Sequence, residues 1–219
     1  MNNTVSHTGG RMPFAIKGLL ALALLAGAAG AAQAQQTSNW RFYAGGGLAS
    51  GGETLASGTI VNIQNGNTIP FKIKPAGDWQ LRIGADYRLN ERFSLQASVG
   101  HGNSDPMGTN GSLSMTTIPW EFTGFFNVTD ALRVGGGYRR SYADLSATGV
   151  GLGWSGLGRY DSNNGAVLEL QYLWSAPGAS PNAAKTQFGL SLRAVSETFS
   201  QGGNSFSGNH YEVGVALYY

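Results

Sequence analysis

The residues that could do chemistry in this sequence are mostly arginines and glutamates set within otherwise uncharged stretches. One group of them recurs at about the same position in separate segments, and from Glu121 onward its members alternate in sign. The group consists of Arg82, Glu121, Arg139, Glu169, Arg193 and Glu212. Buried charges are tolerated only when they are paired. We therefore expect these six residues to form an ion-pair network, with Arg139 between Glu121 and Glu169.

Patterns for metals and cofactors are weak. The chain has no cysteine, and no cluster of His, Cys and Asp has metal-ligand spacing. The stretch GLGWSG, residues 151–156, formally matches the dinucleotide fingerprint G-x-G-x-x-G, but no helical pattern follows it. We therefore predict no metal and no cofactor.

The first 34 residues have the composition of a secretory signal peptide. Arg11 and Lys17 come before or beside a short apolar run, residues 19–32, and the small-residue motif AQA ends at Ala34. That run is shorter than the roughly 20 residues of a membrane helix. Cleavage after Ala34 would leave one domain, residues 35–219, whose basic residues equal its 12 acidic residues. Without a basic excess, we do not expect nucleic acid as a partner.

The rest of the chain alternates between apolar and polar or small residues, which is the period of a β-strand. Eight such segments are visible, at residues 40–48, 79–89, 93–99, 118–128, 132–139, 166–174, 187–194 and 211–219. Their apolar faces carry aromatic rings towards both ends, and their polar faces carry arginine or a carboxylate with little lysine. Aromatic rings at both edges of an apolar band are typical of strands that cross a lipid bilayer.

Strands in a bilayer must satisfy their backbone hydrogen bonds among themselves, so the sheet must close. The sequence therefore predicts an all-β protein: an eight-stranded antiparallel up-and-down transmembrane β-barrel, preceded by a cleavable signal peptide. Shorter connections near residues 90–92, 129–130 and 175–184 alternate with longer ones near 50–77, 103–113, 142–164 and 198–208. In outer-membrane barrels the short turns face the periplasm, which would place both termini there.

These features resemble the small outer-membrane barrels of the OmpA-like and porin-like family, over essentially all of residues 38–219. The resemblance implies a monomer in the outer membrane of a diderm bacterium, in contact with outer-membrane lipids and lipopolysaccharide. In that family the barrel-assembly machinery recognises a last strand with a glycine, spaced apolar residues and a final aromatic residue. Gly214, Leu217 and Tyr219 match that pattern. Alternatively, Tyr219 is one more ring of the aromatic belt.

The resemblance also invites one comparison with enzymes. Lipid A deacylase barrels use a His-x-Ser pair on their outer wall. Here His101 is followed at that spacing by Asn103, and Ser104 comes one residue late, on the opposite face of the strand. We therefore predict that the protein is not an enzyme.

An eight-stranded barrel is narrow enough for side chains to fill its lumen. The six charged residues are therefore predicted to lock the barrel, and the alternative is a gate that rearranges to pass ions. A second, basic layer is predicted near the periplasmic mouth. It consists of Arg41, Arg88 and Arg133, with Asp86 close by.

The third external connection contains apolar residues between glycines, where water favours polar side chains. These residues are Val150, Leu152 and Trp154. They either extend a hairpin or form a contact surface for a ligand, lipid or partner. The predicted function is a non-catalytic role in envelope structure or surface interaction. The alternative is a narrow channel or conduit for ions or small hydrophobic solutes, and the third interpretation, ranked below both, is a lipid-modifying enzyme.

Overall fold

The computed structural model describes residues 39–61, 68–74, 78–105, 107–108, 111–149, 157–175 and 186–219. The predicted signal peptide, residues 1–34, lies outside these ranges. Fourteen β-strands lie within them, in the order β1 (Trp40–Gly51), β2 (Ala56–Val61), β3 (Thr68–Ile73), β4 (Trp79–Arg88), β5 (Phe93–Ser104), β6 (Met107–Gly108), β7 (Gly111–Asn127), β8 (Leu132–Gly149), β9 (Gly158–Ser162), β10 (Gly165–Ser175), β11 (Gln187–Ser196), β12 (Thr198–Gln201), β13 (Asn204–Ser207) and β14 (His210–Tyr218). No helix among the described residues is long and apolar enough to cross a membrane.

Eight of these strands close into an antiparallel barrel. The strands β1, β4, β5, β7, β8, β10, β11 and β14 pair in that order. The last strand returns to the first through a register that runs from Tyr43↔Tyr218 to Gly51↔His210. Each barrel strand thus pairs on both sides, as a strand in lipid requires. The prediction of an all-β, eight-stranded antiparallel barrel is confirmed.

Two tight turns, residues 89–92 and 128–131, lie at one end of the barrel, which is the turn end; the opposite end is the loop end. Asn90 Oδ1 and Thr129 Oγ1 each accept a 2.9 Å hydrogen bond from the backbone N–H three residues later. Side chains that bond their own backbone in this way favour turns. Both turns are therefore encoded by local sequence.

Side chains alternate between the outer wall and the lumen. On β10, Leu168 and Leu170 face outward and are 66% and 41% exposed, whereas Glu169 and Gln171 face inward and are 4% and 3% exposed. The other barrel strands follow the same rule over most of their length. An apolar outer wall around a polar interior is the reverse of a water-soluble protein and is the arrangement of a barrel in lipid.

Two strands are longer than the sequence pattern predicts. The strand β7 begins at Gly111 rather than at residue 118, and β8 ends at Gly149 rather than at residue 139. The predicted long connections therefore contain additional strand, including β9, β12 and β13. These parts of the strands have no apolar outward face, because there the polarity of the two faces is exchanged.

The exchange occurs on β7 and β8 near Ile118 and Tyr142. Towards the loop end, the outward residues become polar: Ser112, Ser114 and Thr116 on β7, and Asp144, Ser146 and Thr148 on β8. The inward residues become apolar: Leu113 and Met115 on β7, and Ala143 and Leu145 on β8. The same two strands thus suit lipid in one half and water in the other.

The cap is the structure that β2, β3, β9, β12 and β13 form with the loop-end parts of β7 and β8, residues 111–117 and 143–149. In the cap, β9 pairs with β8, and β12 pairs with both β9 and β13. Its apolar core consists of Ile73, Leu113, Met115, Ala143, Leu145, Tyr160 and Phe199. The rest of the barrel, towards the turn end, is the membrane section.

Candidate functional site

The lumen of the membrane section holds the six predicted charged residues. Three of their pairs are directly opposite each other on neighbouring strands: Glu121 with Arg139, Glu169 with Arg193, and Arg193 with Glu212. Arg139 Nη1 lies 2.6 Å from Glu121 Oε1, and Arg193 Nε lies 3.1 Å from Glu169 Oε2. Arg193 also donates to the carboxylate of Glu212. The register of the sheet therefore places these opposite charges next to each other.

Further contacts cross the lumen between strands that are not neighbours. Arg193 donates to the carboxylate of Glu121, and Arg139 Nη1 lies 3.3 Å from Glu212 Oε1. Arg82 Nη1 lies 3.8 Å from Glu121 Oε2 and 3.6 Å from Glu212 Oε2. With Glu169 held by Arg193, all six residues belong to one network.

The expectation that Arg139 lies between Glu121 and Glu169 is wrong for Glu169. The residue opposite Glu169 on β8 is Gly135, four positions nearer the turn end than Arg139. Strands of a closed barrel are tilted and staggered, so equal numbers of residues from one end do not give equal heights. Glu169 pairs with Arg193 instead.

Sequence reasoning missed two members of the network, Glu197 and His210. Glu197 Oε1 lies 3.1 Å from Arg139 Nε, and His210 Nε2 lies 2.9 Å from Glu212 Oε1. Glu197 follows the predicted end of its strand at residue 194, yet it keeps the inward parity of that strand. Extending the alternation by three residues, from 194 to 197, could have identified it.

A second cluster lies nearer the turn end, around Asp86. Arg41 donates to Asp86, and Arg133 Nη1 lies 3.0 Å from Asp86 Oδ1. Arg133 Nε also donates to Gln171 Oε1 at 2.7 Å. The amide of Gln171 in turn donates to Glu169. Gln171 therefore joins this cluster to the six-residue network.

Arg88 does not belong to this second cluster, contrary to the prediction. It is the last residue of β4 and is exposed. Its Nε donates to the carbonyl oxygen of Asn90 at 3.2 Å, within the turn. The strand ends too early for its inward parity to bring the guanidinium into the lumen.

Aromatic rings also occupy the lumen, and inward-facing glycines make room for them. A Cβ atom at Gly135 would lie 2.5 Å from the ring of Phe125, and one at Gly84 would lie 2.6 Å from the ring of Tyr43. The guanidinium carbon of Arg133 lies 4.2 Å from the centre of the Phe125 ring, a cation–π distance. Glycine at these positions permits the close approach, and the described lumen is packed rather than open.

The charges of the described lumen are matched. The arginines are Arg41, Arg82, Arg133, Arg139 and Arg193, and the carboxylates are Asp86, Glu121, Glu169, Glu197 and Glu212. Every carboxylate in this set forms an ion pair with at least one arginine. Removing one partner from such a set leaves an uncompensated buried charge. The arrangement is suited to fixing the strands to one another.

The geometry supports neither a catalytic His–Ser pair like that of the lipid A deacylase barrels nor a metal site. His101 lies on the outward face of β5, with its ring 5.7 Å from that of Trp79. Ser104 faces inward, and its hydroxyl donates to Asp78 Oδ2 at 3.0 Å. The two side chains are therefore on opposite faces of the sheet. Among the described residues, no group of three or more His, Cys, Asp or Glu side chains is placed to hold a metal ion.

The predicted assembly residues lie on and just after β14. Gly214 faces the lumen, where a Cβ would lie 3.5 Å from Arg82 Nη2. Leu217 and Tyr219 have the outward parity, and the backbone of Tyr219 exchanges hydrogen bonds of 2.9 and 3.0 Å with Phe42. Recognition of these residues by the assembly machinery stays a prediction.

The cap is held together by rings. The ring of Phe206 lies 5.0 Å from that of Tyr160 and 5.7 Å from that of Phe199. Burial raises the pKa of the Tyr160 hydroxyl above its usual value. The predicted external contact residues lie outside the described ranges; these are Val150, Leu152 and Trp154.

A closed sheet, an apolar outer wall and a charged, packed lumen define an integral outer-membrane β-barrel. The sequence matches the family of the outer membrane protein beta-barrel domain over residues 20–219. The chain therefore belongs to this family, and its location is the outer membrane.

Solved structures of other outer-membrane proteins are similar to this chain. Ail, the attachment invasion locus protein of Yersinia pestis, is 10% identical, with 82% of this chain and 98% of that chain covered and a TM-score of 0.47. Neisserial surface protein A is 12% identical, with coverages of 83% and 96% and a TM-score of 0.45. OprG from Pseudomonas aeruginosa is 12% identical, with coverages of 83% and 97% and a TM-score of 0.38. No curated protein sequence matches this chain. Identities this low say nothing about its ligand or partner.

Proposed function

We propose that this protein is a non-conducting, non-catalytic outer-membrane barrel with a role in envelope structure or surface interaction, exerted through its cap. The lumen network carries this proposal, because each of its carboxylates is ion-paired with an arginine. With a blocked lumen, the surface at the loop end becomes the part of the barrel that is available for other molecules.

The network is continuous along the lumen. Its contacts run through Asp86, Arg133, Gln171, Glu169, Arg193, Glu212, Arg139 and Glu197. An ion that passed through would have to separate several of these pairs. Breaking one buried pair typically costs about 3–5 kcal/mol, so rapid conduction through this arrangement is not expected.

We further propose that the cap faces the outside of the cell and that the turn end faces the periplasm. The tight turns at residues 89–92 and 128–131 lie at one end, and the cap lies at the other. That asymmetry is the plan of outer-membrane barrels. In this orientation the outer wall contacts outer-membrane lipids and lipopolysaccharide. A barrel that closes within one chain supports a monomer.

The construction of the cap supports a surface role. Its strands extend the barrel wall, and its apolar core is buried while its outward residues are polar. Strands that are ordered before binding lower the conformational entropy that an interface loses on association. The predicted contact residues belong to the connection between β8 and β9, both of which are part of this support. These are Val150, Leu152 and Trp154.

The locked lumen and the alternative, a narrow channel or conduit, predict different conductances for the purified barrel in a planar lipid bilayer. If the lumen is locked, the parent should be nearly silent. Arg139→Ala should then conduct, because the change removes a long side chain, leaves Glu197 without an arginine partner and takes one of three arginines from Glu121. Single-channel recording of both proteins tests the proposal.

Arg140→Ala is the matched control, because Arg140 is the next residue and faces outward. It should be as silent as the parent. Clear, switching conductance in the parent would reject the locked lumen and favour the channel. A silent Arg139→Ala variant with unchanged stability would mean that Arg139 is not a member of the lumen network.

A further inference from the structure

Arg140 differs from the arginines of the lumen. Its neighbour Arg139 is fully buried, whereas Arg140 faces outward on β8 and is exposed. Among the described residues between the turns and the cap, it is the one arginine or lysine on the outer wall. Trp120 is directly opposite it on β7, and its guanidinium carbon lies 5.7 Å from the centre of the Tyr142 ring.

The guanidinium of Arg140 has no acidic partner within the described chain; its contact there is the Tyr142 ring. The five lumen arginines, by contrast, each bind a carboxylate. The nearest acids in register lie further towards the cap. Asp144 is directly opposite Arg159, and Asp161 is directly opposite Tyr142. The N–H donors of Arg140 are therefore turned towards the surrounding medium.

The position of Arg140 along the barrel determines which anions surround its side chain. It is the last outward position of β8 before Tyr142, where the outer wall changes from apolar to polar. Tryptophan and tyrosine rings mark the lipid–water boundary. A cation is tolerated there at about 0–1 kcal/mol, since its head can extend into the headgroup layer. The anions at that depth are the phosphates of lipid headgroups.

We infer that Arg140, flanked by Trp120 and Tyr142, binds a phosphate group of lipid A. The planar fork of a guanidinium matches two phosphate oxygens at once. The two rings provide apolar surface for the acyl chains below the phosphate. The choice of lipid A rests on the proposed function, specifically on the proposed orientation with the cap outside, where lipopolysaccharide is the surrounding lipid.

The test uses the full-length folded barrel in detergent micelles, titrated with bisphosphorylated lipid A and followed by native mass spectrometry. Arg140→Gln should bind lipid A about tenfold more weakly, the size of one charge-assisted hydrogen bond. Arg140→Lys should recover part of that loss, because it keeps the charge without the fork. Arg92→Gln, which removes an exposed arginine at the turn end, is the matched control and should bind like the parent. Heat-modifiable gel mobility confirms that each variant is folded.

Equal affinity of the parent and Arg140→Gln for lipid A would overturn the site. Equal affinity of the parent for phosphorylated and dephosphorylated lipid A would do the same. Tighter binding of phosphatidylglycerol than of lipid A would overturn the choice of lipid, and an equal loss in Arg92→Gln would reveal unspecific charge attraction. The planar-bilayer test reports on the lumen, so Arg140→Gln should leave it unchanged. The two proposals can therefore fail separately.

Discussion

The membrane section and the cap share the strands β7 and β8, yet their polarity is opposite. In the membrane section, β8 turns Arg139 inward and Tyr138 outward. In the cap, the same strand turns Leu145 inward and Ser146 outward. The alternation of side chains continues without a break, and only the residue types are exchanged. The surrounding medium, rather than the backbone, therefore determines which face is apolar.

The membrane section and the cap are also stabilised by different interactions. The cap has an ordinary apolar core, so removal of side chains such as Leu145 and Phe199 from water stabilises it. The outward apolar side chains of the membrane section stay in contact with lipid rather than packing into a protein core. Their burial within the protein therefore contributes little to the stability of that section. Closed backbone pairing and the ion pairs of the lumen hold that region together. Single substitutions on opposite faces of one strand should therefore have very different effects.

The largest effect is expected for Arg139→Ala. Arg139 contacts the carboxylates of Glu121, Glu197 and Glu212, which would lose a shared partner in the lumen. We expect a loss of about 3–5 kcal/mol in the free energy of unfolding, measured as the urea midpoint of the barrel in lipid vesicles. Arg140→Ala is the control, with an expected change of about 0–1 kcal/mol. Similar midpoints for the two variants would contradict the assignment of opposite faces.

A second test moves a charge onto the outer wall of each region. Leu170→Arg places the charge in the middle of β10, on the lipid-facing side, and should destabilise the barrel by about 2–4 kcal/mol. Ser146→Arg places it on the same side of the wall but in the cap, where water solvates it. We expect a change within about 0.5 kcal/mol there. If both variants unfold at the same urea concentration, the boundary at Tyr142 is wrong.

The smallest effect is expected for a methyl group added within the lumen. In Gly135→Ala the new Cβ would lie 2.5 Å from the ring of Phe125, and such overpacking typically costs about 1–3 kcal/mol. Gly136→Ala is the control on the outer wall, where the Cβ would meet Leu168 at an ordinary 3.5 Å. Thermal unfolding in the same detergent should separate the two variants. A control that is as unstable as Gly135→Ala would argue against a packed lumen.

The residues that face the lumen could be predicted from the sequence, because the alternation of side chains along a strand is a local property. Successive side chains of a strand point to opposite faces, so residues such as Glu169 and Arg193 could be assigned to the lumen from spacing alone. The same rule identified the apolar outer wall and the eight strands of the membrane section. On β7 and β8 the predicted segments are shorter than the strands, because the outward residues change from apolar to polar where the strands leave the membrane.

By itself, the sequence determined which face each barrel residue occupies, because a period of two needs no knowledge of neighbouring strands. The tertiary structure alone decided which charges meet. Arg139 contacts Glu197 and Glu212 rather than Glu169, since the stagger of tilted strands sets the relative heights across the lumen. It also decided that, among the described residues, no carboxylate forms an ion pair with Arg140. Contacts between strands that are distant along the chain depend on closure of the whole barrel, and no local pattern contains that closure.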